Sequence, residues 1–205
     1  MNLQTDARFR PARVAAIIAA MGGLREGIFG VLALAAALAA WGGEPADAAA
    51  FPIFHVTKSD SRNEVHYATV LGADCRFAAD AVRVTWFRPG EAPRPLTWIE
   101  ELLVYGVRLT EAGANRIMFT LAADDTRPVV AEALNAGGGC RVRARVRING
   151  QWAEPAYAHV RVSGGGALFP DIAHVDLHAR TEGGSPVCER LRALRTPGVP
   201  CPAAR

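Results

Sequence analysis

The sequence predicts a mainly β protein: an antiparallel β-sandwich, immunoglobulin-like in outline, with one short helix near residues 98–105. Three observations carry this. Short runs alternate apolar and polar side chains, the period-2 signature of strands with one buried face. Turn-forming residues punctuate those runs at short spacing, as sandwiches require. No βαβ alternation, no G-x-G-x-x-G and no phosphate loop occurs, which excludes the usual nucleotide and dinucleotide enzymes.

Taken in order, residues 53–58 and 65–71 are rich in β-branched and aromatic side chains, and Ser59, Asp60, Ser61, Arg62 and Asn63 separate them: strand, polar turn, strand. Residues 81–88 place Val82, Val84 and Trp86 on one face. Thr97 and Glu100 then form a capping box, and Ile99, Leu102 and Leu103 share a helical face. Gly106 supplies a stop, so a helix of about two turns is expected to pack on a sheet. Ile117, Phe119 and Leu121 alternate in the next run, and residues 128–134 follow. Residues 140–148 alternate strictly, with Val142, Ala144, Val146 and Ile148 against Arg141, Arg143, Arg145 and Arg147. Asn149-Gly150 is the strongest hairpin signal in the chain, because both residues tolerate positive φ. Residues 156–163 return. Ala173, Val175, Leu177 and Ala179 then alternate against His174, Asp176, His178 and Arg180.

The 205-residue chain divides by composition into a leader (residues 1–50), a β-sandwich domain (51–185) and a Pro-rich C-terminal tail (186–205). Residues 27–41 are uncharged, too short a run for a stable bilayer span but suited to the apolar region of a secretory signal. Arg25 flanks the run, and small residues offer cleavage after Ala48 or Ala50. Met21 opens a more compact leader and is the expected start. Export to the periplasm or outside the cell follows, with an uncleaved N-terminal anchor as the alternative. The leader holds four Arg and four acidic residues, so the rest keeps the whole chain's net charge of +3. That is too mild for a nucleic-acid partner.

The four cysteines, Cys75, Cys140, Cys188 and Cys201, all follow the leader and predict two disulfides. Of the three pairings, Cys75–Cys140 with Cys188–Cys201 is favoured, since the second bridge would hold a tail that has little else to fix it. No C-x-x-C spacing supports zinc, and no cofactor is expected.

Three groups of residues are candidates for binding or chemistry. Lys58, Ser59, Arg62, Asn63 and Tyr67 form a polar patch able to hold an anion, although Ser and Asn also close turns by bonding their own backbone. Lys58 and Ser59 would point to opposite faces of a strand, which argues against a Ser-Lys nucleophile. His174, Asp176 and His178 share a strand face. Neighbours there are about 6.6 Å apart and the two histidines about 13 Å apart, so a metal would need one His, Asp176 and a ligand from His55, His66 or His159. The Arg143, Arg145 and Arg147 ladder, continued by Arg141, suits an anionic envelope component: a glycan, a lipid headgroup or an acidic protein. Trp152 and Tyr157 could stack on sugars beside it. Its plain alternative is a solvated face balanced by cross-strand acids such as Glu154. Glu100 and Glu101 diverge on the helix and make no acid/base pair.

The stretch F-H-V-T-K-S-D-S-R-N-E-V-H-Y at residues 54–67 resembles the opening signature of a family of exported bacterial proteins described as a domain of unknown function. The signature is an apolar strand, then Lys58 and Ser59, then Asn63, Val65 and Tyr67. Leu96 to Glu100, Tyr105-Gly106, Val175-Asp176-Leu177 and Val187-Cys188-Glu189 extend it over most of residues 51–191. Ser61-Arg62 stands where a second Asn is expected. The resemblance implies no activity, ligand or catalytic residue. The residues together point to a non-catalytic binding or structural module of the bacterial envelope. A metal-dependent or hydrolase-like enzyme working from the His/Asp face is the alternative.

Overall fold

A computed structural model describes residues 48–165, 170–192 and 196–202. The leader expectation falls almost wholly outside them. The described chain is mainly β with one short helix. The strands are β1 (Ala49–Lys58), β2 (Glu64–Leu71), β3 (Phe77–Phe87), β4 (Arg94–Pro95), β5 (Val107–Ala112), β6 (Arg116–Leu121), β7 (Val129–Ala136), β8 (Gly139–Ile148), β9 (Gln151–Gly165), β10 (Pro170–Thr181), β11 (Pro186–Leu191) and β12 (Val199–Pro200). Helix α1 (Trp98–Glu100) lies between β4 and β5 and runs on as a π-helical turn, Glu101–Tyr105. Among the described residues no helix is long and apolar enough to cross a membrane.

The long strand β9 organises the sheet. One edge carries β10 from Ala153 to Gly165. The other edge is shared: its first residues pair with β8, and Tyr157 to Val160 pair with β1 in parallel. Two arms therefore leave β9, one ordered β1-β2-β3-β4 and the other β8-β7-β6-β5, and the sheet does not close. Beyond β10 lie β11 and β12. Residues 186–191, expected in the tail, are thus a full strand of the sheet. Asn149 and Gly150 both take positive φ (48° and 79°) and turn β8 into β9, as their types predict.

Apolar alternation sends one face of each arm inward. Ile117, Phe119, Val129, Ala131, Ala144, Val146 and Ile148 of the second arm form one cluster with Ala81, Ala153 and Ala179. Val56, Val65, Tyr67, Ala158, Val175 and Leu191 form another. Phe54, Val107, Leu121 and Leu177 pack against both. Burying each large side chain contributes about 1.5–3 kcal/mol. Two disulfides pair as expected: Cys75–Cys140 joins the β2–β3 turn to β8, and Cys188–Cys201 ties β11 to the chain after β12.

The helix departs from expectation. Its capping box is present: the Glu100 amide donates to Thr97 Oγ1 and Thr97 N–H donates to Glu100 Oε2. The apolar face is not packed away, however. Trp98 is 72% exposed, Leu102 60% and Leu103 51%. The segment is fixed at its ends, by the cap and by Tyr67, rather than along its side.

Candidate functional site

A cavity of about 580 Å³ lies against both core clusters. Aromatic pairs build part of its wall. Phe54 stacks on Tyr67 with ring centroids 4.4 Å apart, and Trp86 meets Tyr105 edge-on at 5.7 Å. Aliphatic side chains from β1, β8, β9, β10 and β11 supply much of the rest, among them Val56, Ile148, Val160, Val175 and Leu191. At the mouth stand Ile99, Leu103 and Val104 of the helical segment, each 40–51% exposed.

The helical segment is held there by specific bonds. Tyr67 is 1% exposed and its hydroxyl donates to the Tyr105 carbonyl at 2.9 Å. Burial pushes the phenols of both Tyr67 and Tyr105 up, so both stay neutral. The Gly106 amide donates to the Glu101 carbonyl, closing the π turn. Such turns recur at functional sites. Arg94 lies over the Trp86 ring, 4.9 Å from its centroid, and forks onto Glu100 with two 2.8 Å bonds. That fork holds the Glu100 carboxyl at about 2, well below the usual range.

The other charges at the wall are also committed. Arg127 donates to Asp124 at 2.6 Å and to Glu189 at 2.9 Å. Glu189 further accepts from the Asn149 and Gly198 amides. This network joins the β6–β7 loop, the β8–β9 turn, β11 and the tail. Lys58 differs: its ammonium lies 3.6 Å from Asp60, beyond hydrogen-bond length.

The sequence-predicted residues distribute as follows. Lys58, Tyr67 and His178 all line the cavity. Ser59 Oγ accepts from the Val162 amide and Ser61 Oγ from the Asn63 amide, so these hydroxyls do turn and strand work. Arg62 is exposed. Along the Arg ladder, Glu132 of β7 is the balancing acid: it meets Arg143 at 3.5 Å and Arg145 at 3.0 Å. Arg145 and Arg147 both lie over the Trp152 ring.

By strand register all five histidines fall on one face of the sheet, and His178 and Tyr157 also border the cavity. His66, His55, Tyr157, His178 and Cys188 stand in direct register across β2, β1, β9, β10 and β11. Their rings stack: His55–His66 at 5.3 Å, His55–Tyr157 at 5.7 Å and Tyr157–His178 at 4.2 Å. Around this row, Glu64 binds His66 at 2.6 Å and Thr57 Oγ1 lies 2.9 Å from His159 Nδ1. Asp176 accepts two 2.7 Å bonds from Arg190, which lower its carboxyl; His174 stands 3.7 Å away. Burial lowers the His178 imidazole, against the opposing pull of Asp176. Ligand atoms of Asp176, Cys188 and Cys201 cluster within 4.8 Å. Both sulfurs are bonded to each other, though, and a metal needs thiolate. Arg190 and the disulfide thus already engage the ligand atoms of this one cluster.

Sequence reasoning missed the cavity and the cross-strand histidine row. The one local signal was the helix, whose apolar side chains exceed what a single packed face needs.

A family model matches residues 54–190 of this fold and site. The chain belongs to the family described as Domain of unknown function (DUF4833). The match runs from the middle of β1 to β11 and covers the cavity wall except Leu191. No curated protein and no solved structure matches the chain.

Proposed function

We propose that this chain is a non-catalytic binding module exported to the bacterial envelope, and that its cavity receives a small apolar ligand. The observation that carries the reading is the cavity. Its volume of about 580 Å³ lies within the range typical of small-molecule sites. Its wall is mostly apolar, and Glu100, Asp124 and Arg127 are consumed by structural ion pairs. Export is supported by the uncharged run at residues 27–41 and by two disulfides, which suit an oxidising compartment. The two arms leaving β9 are read as the halves of a β-sandwich, because side chains of both meet in the first core cluster. The second reading, metal-dependent or hydrolase-like chemistry, draws support from the five histidines on one face. The Arg190 fork on Asp176 weighs against it.

The test is native mass spectrometry of the unreduced protein exported by its own host, followed by titration of the stripped protein with 1-dodecanol. The expected result is a chain beginning near residue 49 or 51, lighter by the four hydrogens of two disulfides, that takes up one dodecanol. A chain that binds neither dodecanol nor any charged chain of the same length overturns the reading. A retained metal ion favours the catalytic alternative.

A further inference from the structure

We infer that the ligand of this cavity is an anionic amphiphile, a single apolar chain ending in a carboxylate or phosphate, whose head group pairs with Lys58. The inference rests on the cavity reading and names its ligand class. Lys58 is the only lysine of the chain, and its side chain lines the cavity while remaining 19% exposed. It therefore stands at the rim, where a charged head group keeps part of its water while the chain goes inward. That arrangement avoids the large cost of burying an isolated charge.

The remaining charges narrow the choice. Among the described residues Asp60 is the acid paired with Lys58, at 3.6 Å and 45% exposed. With Asp60 half exposed and no hydrogen bond between them, the pair is weak, so an incoming anion can replace it. Glu100 also lies on this side, but Arg94 already neutralises it through two hydrogen bonds. Tyr105 brings a neutral phenol to the same region. An ammonium offers three donors, and Lys58 makes no hydrogen bond in the described residues. The rim thus has donor capacity beyond the Asp60 ion pair.

The mouth explains the chain. Ile99, Leu103 and Val104 line the cavity and are also exposed, and Trp98 and Leu102 continue the apolar surface outward. Apolar side chains gathered at an opening mark a surface that a ligand covers. A linear chain entering past them reaches Phe54, Tyr67 and Leu191, while its head stays beside Lys58.

The test compares four ligands of one chain length on the stripped, disulfide-intact protein, below their micelle concentrations: dodecanoate, dodecyl phosphate, 1-dodecanol and dodecyltrimethylammonium. Binding is read by calorimetry and by intrinsic tryptophan fluorescence. Dodecanoate and dodecyl phosphate should bind about tenfold more tightly than dodecanol, and the advantage should shrink with added salt. The tighter of the two names the source, a free fatty acid or a lipid phosphate. Lys58→Met should erase the advantage, taken as the ratio of anion to dodecanol affinity measured on the same variant; Lys58→Arg should restore most of it. Equal binding of charged and neutral chains, preference for the cationic chain, or an anion preference that survives in Lys58→Met would overturn the inference and leave the cavity reading standing. Failure of all four ligands to bind would overturn the cavity reading itself.

Discussion

Replacing Tyr67 with Phe isolates one hydrogen bond and should loosen the mouth of the cavity. The Tyr67 ring is 1% exposed and stacks on Phe54 at 4.4 Å, and Phe keeps that packing. What goes is the 2.9 Å bond from its hydroxyl to the Tyr105 carbonyl. A hydrogen bond contributes about 1 kcal/mol net, and the orphaned, half-buried carbonyl adds to the loss, so the expected cost is about 1.5–2 kcal/mol. In the unit spanning Pro45–Arg205 this corresponds to a fall in Tm of about 3–8 °C. Urea denaturation should show a lower midpoint at constant slope. Hydrogen exchange should quicken at residues 98–106 and stay unchanged in β6 to β8. The pH dependence gives a second readout. Burial raises the Tyr67 phenol above its ordinary value of 10. Above about pH 10 the unfolded chain therefore holds fewer protons than the folded one, and stability falls as pH rises. Tyr67→Phe should flatten that alkaline decline. A variant with unchanged Tm and unchanged exchange in the helical segment would refute the argument that this hydroxyl fixes the mouth.

Three further outcomes follow from the same structure. Glu100→Gln should cost about 1 kcal/mol at neutral pH, allowing for solvent screening of the partly exposed Arg94. Because the folded carboxyl sits at about 2 against an ordinary 4.5, that contribution is complete above about pH 5 and disappears toward pH 2. Melting curves of both proteins should converge there. Gly106→Ala should destabilise by about 1–3 kcal/mol, since its Cβ would lie 2.0 Å from the Glu101 carbonyl oxygen and the π turn must open; faster exchange at residues 101–106 is the check. Removing Cys75–Cys140 should cost about 4 kcal/mol and removing Cys188–Cys201 about 3 kcal/mol on the chain-entropy model, because the first closes a 65-residue loop and the second a 13-residue one. Paired Cys→Ala variants, compared by urea midpoints, would test that order.

How much of this was legible in the sequence depended on whether one face of an element is buried. β8 shows it best: Ala144, Val146 and Ile148 are buried while Arg143 and Arg147 are exposed, so the alternation is clean. β5 escaped because four of its six residues are exposed and no pattern survives. β11 escaped because Glu189 occupies a buried position there, where Arg127 neutralises it. A charge at an inward position breaks the binary pattern unless its partner is known, and that partner lies 62 residues away. The helix was legible from its cap, but not its orientation, because Leu102 and Leu103 look the same whether they face a core or a cavity mouth. Of the site residues read from the sequence, Lys58 and Tyr67, which share one local motif, and His178 line the cavity. The cavity draws its wall from strands far apart in sequence, and the histidine row exists only once four strand pairings are in register.

The parallel pairing of β1 with β9 bears on how the chain reaches its folded state. Thr57 and His159 are neighbours across that pairing although 102 residues separate them. The first described strand cannot complete its hydrogen bonding until the ninth of twelve has been synthesised. Contacts of such long sequence separation slow folding, since loop closure is opposed by entropy before any contact rewards it. In the interval, the β1–β2 hairpin presents an open edge with Phe54 and Val56 uncovered, the kind of surface that recruits foreign strands. The architecture thus couples the beginning of the domain to its end like a clasp. Its vulnerability lies in the time between emergence of the two halves, and a truncation anywhere before residue 160 should leave a chain that aggregates instead of folding partway.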